Sequence, residues 1–473
     1  MWLRQRHHVR TGGSSATIIQ ALTSDNAILG PALPSERTVG EVLDLALRVG
    51  EVLMTSGAGA ADVTATVLAV TDAYGLPHCE VDVIFTSISI CCHRGTEFSP
   101  VTTHRVVRSR SLDYTRLQQV EQLVERITGG ELTAAAARVR LDELTNAPHP
   151  YPRWLATLAW AMMAACVGLL LGGGPLVALV SGATTALIDR VGRLLNRRAL
   201  PFFFQQAVGG ALATGVTLLL MRFGLLPDGV APALVVAGAI TVLLSGLSVV
   251  SAVQDAISGY NVTAAGRAME TTMMSFGLVA GVVVALAVAV KLGMPSSSLV
   301  APLPTSALHL PVAIAAGAAA AGMFALASYA TRRALVVAAG AGALGAAVHG
   351  VLQLAGINQI AASAVAAILI GGANGMVSRR LKLPPLVVAV SGLTPLLPGL
   401  TTYQSMFQLA VNRDPAGLST AMTAIAIALA LAAGVVLGEY LAQPVRTGLG
   451  RLERRFAGPR LAGPLRPAER QLD

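Results

Sequence analysis

The chain has 473 residues, 54% of them hydrophobic and only 12% charged, with 48 glycines. That balance excludes a wholly water-soluble protein and describes a chain that lives mostly in lipid. The net charge of +9 comes almost wholly from arginines that sit in loops and tails. There they set topology and suit anionic membrane lipids, and they form no single patch with interleaved aromatics of the kind nucleic-acid binding needs.

In residues 1–35 the opening run MWLRQRHHVRTGGSS carries charge but no apolar stretch and no small-residue cleavage site. They are read as a flexible tail, not a secretory signal, so the segment that follows is expected to stay in the cytoplasm. Residues 36–150 are as polar as an ordinary soluble domain and read as an α+β unit. Val42, Leu45, Ala46, Val49, Val52 and Leu53 recur at helical spacing up to the small-residue run Ser56 to Ala60. A second helix is expected from Ala61 to Tyr74, stopped by Gly75. Residues 80–92, EVDVIFTSISICC, are β-branched and read as one strand, with another near Thr102 to Arg108. Helices near 113–128 and 131–146 complete the unit. Cys79, Cys91, Cys92 and Cys166 show no paired spacing and are expected to be reduced, with Cys91 and Cys92 on opposite strand faces.

Residues 151–445 hold nearly continuous apolar runs. Stretches long enough for the ~30 Å hydrocarbon core, about 20 helical residues, fall at 154–171, 175–191, 202–221, 231–252, 269–290, 311–329, 334–354, 357–377, 385–409 and 416–442. Ten transmembrane helices are therefore expected, then a basic tail at 446–473. Arg190, Arg193, Arg197 and Arg198, then Arg267, Arg332 and Arg333, then Arg379, Arg380 and Lys382 fall in alternate loops, which puts both termini in the cytoplasm.

One segment recurs among these spans. Leu234 to Gly246 reads LVVAGAITVLLSG and Leu386 to Gly399 reads LVVAVSGLTPLLPG. The copies lie five spans apart, so they run in opposite senses, the mark of a secondary transporter built from two inverted five-helix repeats around a midplane site. Pro395, Pro398 and Gly399 should break the later copy, and broken backbone at membrane depth is tolerated where it lines a cavity. Thr394, Thr401, Thr402, Tyr403 and Gln404 flank that break with neutral donors and acceptors, and freed amides at a half-helix start suit a carboxylate. The first copy has Ser245 where a proline would match, so it is expected to be less sharply broken.

Charge is scarce in the spans. Asp189, Asp255, Glu270 and Glu439 fall near cytoplasmic helix ends, and His349, with Gln353 one turn later, is the histidine well inside a span. Glu439, His349 and Asp255 are the proton-coupling candidates. GLVAG at Gly277 to Gly281 and GLLLG at Gly168 to Gly172 suit close helix packing or homo-oligomer contact. In the soluble unit Glu51, Asp62, Asp82, His93 and Asp113 supply acids and bases. No GxSxG elbow, HExxH pair or Walker A loop accompanies them, so neither catalysis, a metal, a cofactor nor ATP is called for, and an ion gradient should drive transport.

The run LALRVGEVLMTSGAGAADVTATVLAVTDAYGL, then VDVIFTSISI, HRGTEFSPVTTHRVVRSRSLDYTRL and PHPYPRW, closely resembles the threonine/serine exporter (ThrE) family. So do LIDRVGRLLNRRALPFFFQQ and LLPGLTTYQS further on. The resemblance implies a cytoplasmic domain followed by ten helices, exporting threonine and serine across the bacterial inner membrane at the expense of the proton motive force. Matched blocks single out Glu51, Ser56, Gly57, Gly59, Asp62, Asp82, Arg105, Arg108, Asp113 and Tyr151 in the soluble part. Gln205, Gln206, Asp255, Gly399 and Tyr403 are their membrane counterparts, with Gln205 and Gln206 added to the substrate-binding candidates. An exporter of dicarboxylates or other organic anions, and a membrane-tethered hydrolase, are the competing readings.

Overall fold

The computed structural model describes residues 35–93, 99–108, 112–227, 230–243, 246–293, 307–410 and 413–442; Ser245 and the two terminal tails lie outside them. Helix α1 (Glu36–Thr55) opens on Ser35, whose hydroxyl accepts from the Thr38 amide at 3.2 Å, and buries its Val/Leu face. Ser56 and Gly57, the latter at φ +93°, reverse the chain into α2 (Ala60–Ala73), and Gly75 at φ +78° ends that helix as expected.

Residues 80–92 are not one strand. They form a hairpin of β1 (Cys79–Ile84) and β2 (Ser87–Cys92), in register Ile84 to Ser87. The intervening Phe85 sits at φ +51°, a conformation that the sequence, lacking glycine or asparagine here, gave no reason to expect. A contact from elsewhere holds it: the Phe85 amide donates to Thr263 Oγ1 at 3.0 Å. Strand β3 (Val101–Val106) pairs antiparallel with β2, and α3 (Tyr114–Thr128) and α4 (Ala134–Asn146) follow. Cys91 and Cys92 do take opposite faces, Cys92 being buried.

The long apolar part comprises α5 (Arg153–Leu170), α6 (Pro175–Arg197), α7 (Phe202–Arg222), α8 (Pro232–Ile240), α9 (Gly246–Ile257) and α10 (Asn261–Lys291). It continues with α11 (Leu310–Ala327), α12 (Arg332–Leu354), α13 (Gln359–Leu381), α14 (Pro385–Leu393), a 3₁₀ turn (Thr394–Leu396), α15 (Gly399–Ala410) and α16 (Ala416–Leu441). Among the described residues seven helices are long and apolar enough to cross a membrane, or eight if the bent α14–α15 pair is one span. Ten were expected. The difference lies in α6, whose last turns carry Asp189, Arg190, Arg193 and Arg197, and in the span expected at 231–252, which is divided between α8 and α9.

That division departs from the expectation of a milder interruption in the first copy. The Thr241 amide bonds Gly238 O and the Leu243 amide bonds Ile240 O at 2.8 Å, three residues back instead of four, so the helix tightens and ends at Ile240. The two copies then match in form: nine-residue helices that begin on proline, α8 and α14, each precede a twelve-residue helix that begins on glycine, α9 and α15. Packing matches too. Helix α7 lies along α10 as α13 lies along α16, α5 along α6 as α11 along α12, and α9 meets α10 as α15 meets α16.

Glycine permits the closest of these approaches. A Cβ on Gly281 would stand 1.8 Å from Ala207 O and one on Gly277 2.4 Å from Phe203 O. In the second pair Gly438 would meet Ile368 O at 2.1 Å. GLVAG is thus a helix contact, as its spacing suggests. GLLLG is one only in part, because Gly172 lies past the end of α5 at φ +88° and turns the chain.

Candidate substrate site at the broken helix

Helix α14 loses continuity because Pro395 and Pro398 supply no amide hydrogen. The axis bends by 49° between Pro385–Leu396 and Gly399–Ser405. Gly399 N bonds Leu397 O at 2.7 Å and Thr402 N bonds Pro398 O at 2.9 Å. The Leu400 and Thr401 amides lie in the first turn of α15, where no carbonyl of the same helix can reach them. That turn lines a cavity of about 140 Å³. Its other walls include Leu170 and Leu171 at the end of α5, His309, Leu310 and Ala313 at the start of α11, His349, Gly350, Gln353 and Leu354 at the end of α12, and Gln359.

The chemistry of this lining is neutral. Among the described residues that form it there is no carboxylate, lysine or arginine; the polar side chains are His309, His349, Gln353, Gln359 and Thr401. His309 is itself tied to Leu169 O at 3.2 Å. The positive end of the α15 dipole and its first-turn amides favour an anion such as a carboxylate, while the glutamine and imidazole groups can accept from an ammonium. Helix α5 leaves the amino-terminal unit at Arg153 and reaches the cavity only at Leu170. At 1.5 Å per residue that is ~27 Å of helix, so the cavity lies at the end of the bundle away from that unit.

Of the substrate-binding candidates, Pro398, Gly399 and Thr401 line the cavity, and so does His349. Thr394 is buried and returns its hydroxyl to Val390 O, and the Thr402 hydroxyl returns to Pro398 O at 2.6 Å. Tyr403, 1% exposed, belongs to an apolar cluster with α8 and α10, and Gln404 beside it is half-buried. Gln205 and Gln206 stand in the first turns of α7; Gln205 caps Leu200 O, and neither lines the cavity. Glu439 lies at the end of α16, where Asn374 donates to it at 3.1 Å and is held in turn by Ser378. His309 and Gln359 were not singled out by sequence because each sits at a helix start with no periodic or motif signal.

Asp255 is placed elsewhere, against the amino-terminal unit. It is 1% exposed, pairs with Arg267 at 3.0 Å and accepts the Ala60 amide at 2.8 Å. Asp62 lies in the same first turn of α2. Asp62 is itself exposed; crowding by the surrounding protein and then the Asp255 charge push its carboxyl up to about 6. Glu121 on α3 is pushed up to about 8 by burial, then by Asp62 and Glu125. Asp113 is buried as the N-cap of α3, accepting from Arg116 N and from His149 Nδ1 at 2.7 Å. Glu51 receives Arg105, which also reaches Asp44 at 3.4 Å. Ser56 bonds Val52 O, while Asp82 and Arg108 are exposed. These motif residues are therefore spread through the unit as caps, ion pairs and one interface, and no group of three or more His, Cys, Asp or Glu side chains among the described residues could hold a metal.

Long apolar helices, glycine contacts at backbone distance and an interrupted span beside a cavity define a polytopic α-helical membrane protein. Two family models described as threonine/serine exporter match it, over residues 44–289 and 313–441. A Mycobacterium tuberculosis (strain ATCC 25618 / H37Rv) protein named "Probable threonine/serine exporter" is 41% identical over 433 residues, covering 90% of this chain and 80% of its own length. The Corynebacterium glutamicum "Threonine/serine exporter" is 36% identical over 422 residues, covering 88% and 85%. No solved structure matches. The chain belongs to the threonine/serine exporter (ThrE) family.

Proposed function

We propose that the protein is a secondary transporter that exports threonine and serine from the bacterial cytoplasm across the inner membrane, in antiport with protons. In this reading the two copies are inverted repeats of five spans each, α8 with α9 and α14 with α15 being the broken fourth and ninth. Residues 36–150 form a cytoplasmic domain, and both termini are cytoplasmic. The relatives' names supply the substrates. The observation that carries the reading is the start of α15: amides without a partner in their own helix face a small neutral cavity beside imidazole and glutamine, a lining suited to a zwitterion. The matched helix lengths and packing partners of the copies support the repeat. The absence of a cationic side chain from the described lining favours a zwitterion over a dicarboxylate.

The test is efflux from cells loaded with a threonine-containing dipeptide, comparing cells that lack and overexpress the protein, with and without a protonophore. Faster, protonophore-sensitive efflux of threonine and serine on overexpression is expected. Unchanged efflux of both, with the protein present in the membrane, overturns the substrate assignment in favour of organic anions. His349→Ala should abolish the protonophore sensitivity if His349 carries the coupled proton; Glu439→Gln should leave export intact.

A further inference from the structure

We infer that the amino-terminal unit is a strap across the cytoplasmic side of the transporter, fastened to both halves at once, and that the buried Asp255–Arg267 pair is its buckle on the first half. The inference rests on the exporter reading and its topology. It begins with how the two charges are used. Both are almost wholly buried, a situation costly to any ion pair whose remaining hydrogen-bonding groups go unmet. Here the strap takes two of those groups: Asp255 Oδ1 accepts the Ala60 amide at the start of α2, and Arg267 Nη2 donates to Ala58 O at 3.0 Å. Gly59 between them leaves the carboxylate room, since a Cβ there would already stand 3.4 Å from Asp255 Oδ1.

Two further contacts fix the same side. The Tyr260 hydroxyl donates to Thr64 Oγ1 at 2.9 Å, and Thr263 donates to Val83 O while accepting from the Phe85 amide. The Phe85 ring is seated on Gly266, where a Cβ would come within 2.8 Å of it. The other end of the strap is α3, which holds turns of the second half. The Tyr114 amide donates to Ser328 O at 2.9 Å, Thr115 Oγ1 to Tyr329 O, and Gln118 Nε2 to Lys382 O at 3.3 Å. His149, held by Asp113, stacks on Tyr329 at 4.4 Å.

Rocking of one repeat against the other must therefore break one set of these bonds or stretch the unit between them. The cavity at the broken helix lies at the opposite end of the bundle, so the fastened strap accompanies an arrangement with its cavity away from the cytoplasm. Opening toward the cytoplasm requires the strap to release at its buckle on the first half, while α3 stays on the second.

The test is a reversible lock. Gly266 and Phe85 would bring their Cβ atoms to 3.3 Å, near the about 3.5–4.5 Å of a disulfide. The full-length Phe85→Cys/Gly266→Cys protein is reconstituted into vesicles and assayed for threonine exchange, with the wild type and each single variant alongside. Exchange should be lost on oxidation and restored by dithiothreitol in the double variant alone. Full exchange with the disulfide quantitatively formed overturns the strap. Should the double variant be inactive even when reduced, hydrogen exchange of the wild type decides: added threonine should raise exchange at residues 58–64 and leave the α1 core unchanged, and no rise at 58–64 overturns the proposal. Failure of the wild type to exchange threonine would instead count against the exporter reading, so the two failures are distinguishable.

Discussion

Replacing Gly281 by alanine perturbs the protein at its tightest helix contact. The added Cβ would lie 1.8 Å from Ala207 O, whereas a carbon and a carbonyl oxygen rest at about 3.3–3.6 Å. Both atoms belong to helix backbones, so no side-chain rotation relieves the overlap, and α7 and α10 must part by more than an ångström along their shared face. Overpacking of this kind costs about 1–3 kcal/mol or somewhat more, and parting the helices also forfeits the dispersion contacts of Gly277 with Phe203 one turn earlier. Gly215 on the same α7 is the control, because a Cβ there meets nothing within 4 Å. Gly215→Ala should be neutral or stabilising by up to about 1 kcal/mol through helix propensity. The assay is thermal unfolding of the purified protein in detergent, followed by threonine efflux at matched membrane levels. Gly281→Ala with the wild-type Tm and efflux would refute the argument that glycine is there to let the backbones touch.

Three other outcomes are expected. The double variant Pro395→Ala/Pro398→Ala removes two residues that each oppose a continuous helix by about 3 kcal/mol; it should close the amide mouth of α15 and abolish efflux while the protein remains in the membrane. Asp62 keeps its proton in the folded protein up to about pH 6, against about 4 for an aspartate in the unfolded chain, so its contribution makes stability fall as pH rises through that window. Asp62→Asn should therefore raise Tm relative to wild type above about pH 6 and lose that advantage below about pH 4, as measured by thermal unfolding across pH. Asp113→Ala removes the N-cap of α3 and the partner of His149; a cost of about 1–2 kcal/mol should appear as faster hydrogen exchange of the amides at 115–117.

The long helices were legible because lipid imposes a length and an apolar composition that sequence displays directly. The spans expected at 202–221, 334–354 and 416–442 end within two residues of the helices observed. The α14 break was legible because proline's missing amide acts locally. The same reasoning placed Pro398, Gly399 and Thr401 among the candidates, and these line one cavity together with His349, which was singled out separately as the histidine inside a span. It expected the interruption of the first copy to be the milder one, because the α8 break is made by backbone bonds of three-residue reach at Thr241 and Leu243 and not by a proline. The hairpin turn at Phe85 was invisible for a comparable reason: its strained residue is held by Thr263 and Gly266, 178 or more positions away.

Arg267 shows the boundary most clearly. Sequence counts it as one more loop cation, and its partner Asp255 as an interfacial carboxylate, because charge near a helix end is normally solvated. In the structure both are buried together under α2. The sequence by itself determined which segments form long apolar helices, where one of them breaks and what family the chain resembles, since hydrophobic length, proline chemistry and ordered motifs are properties of contiguous residues. Only the tertiary structure decided which helix faces meet, which neutral groups converge on the broken span and which charges lose their water, because those depend on side chains brought together from distant positions by packing.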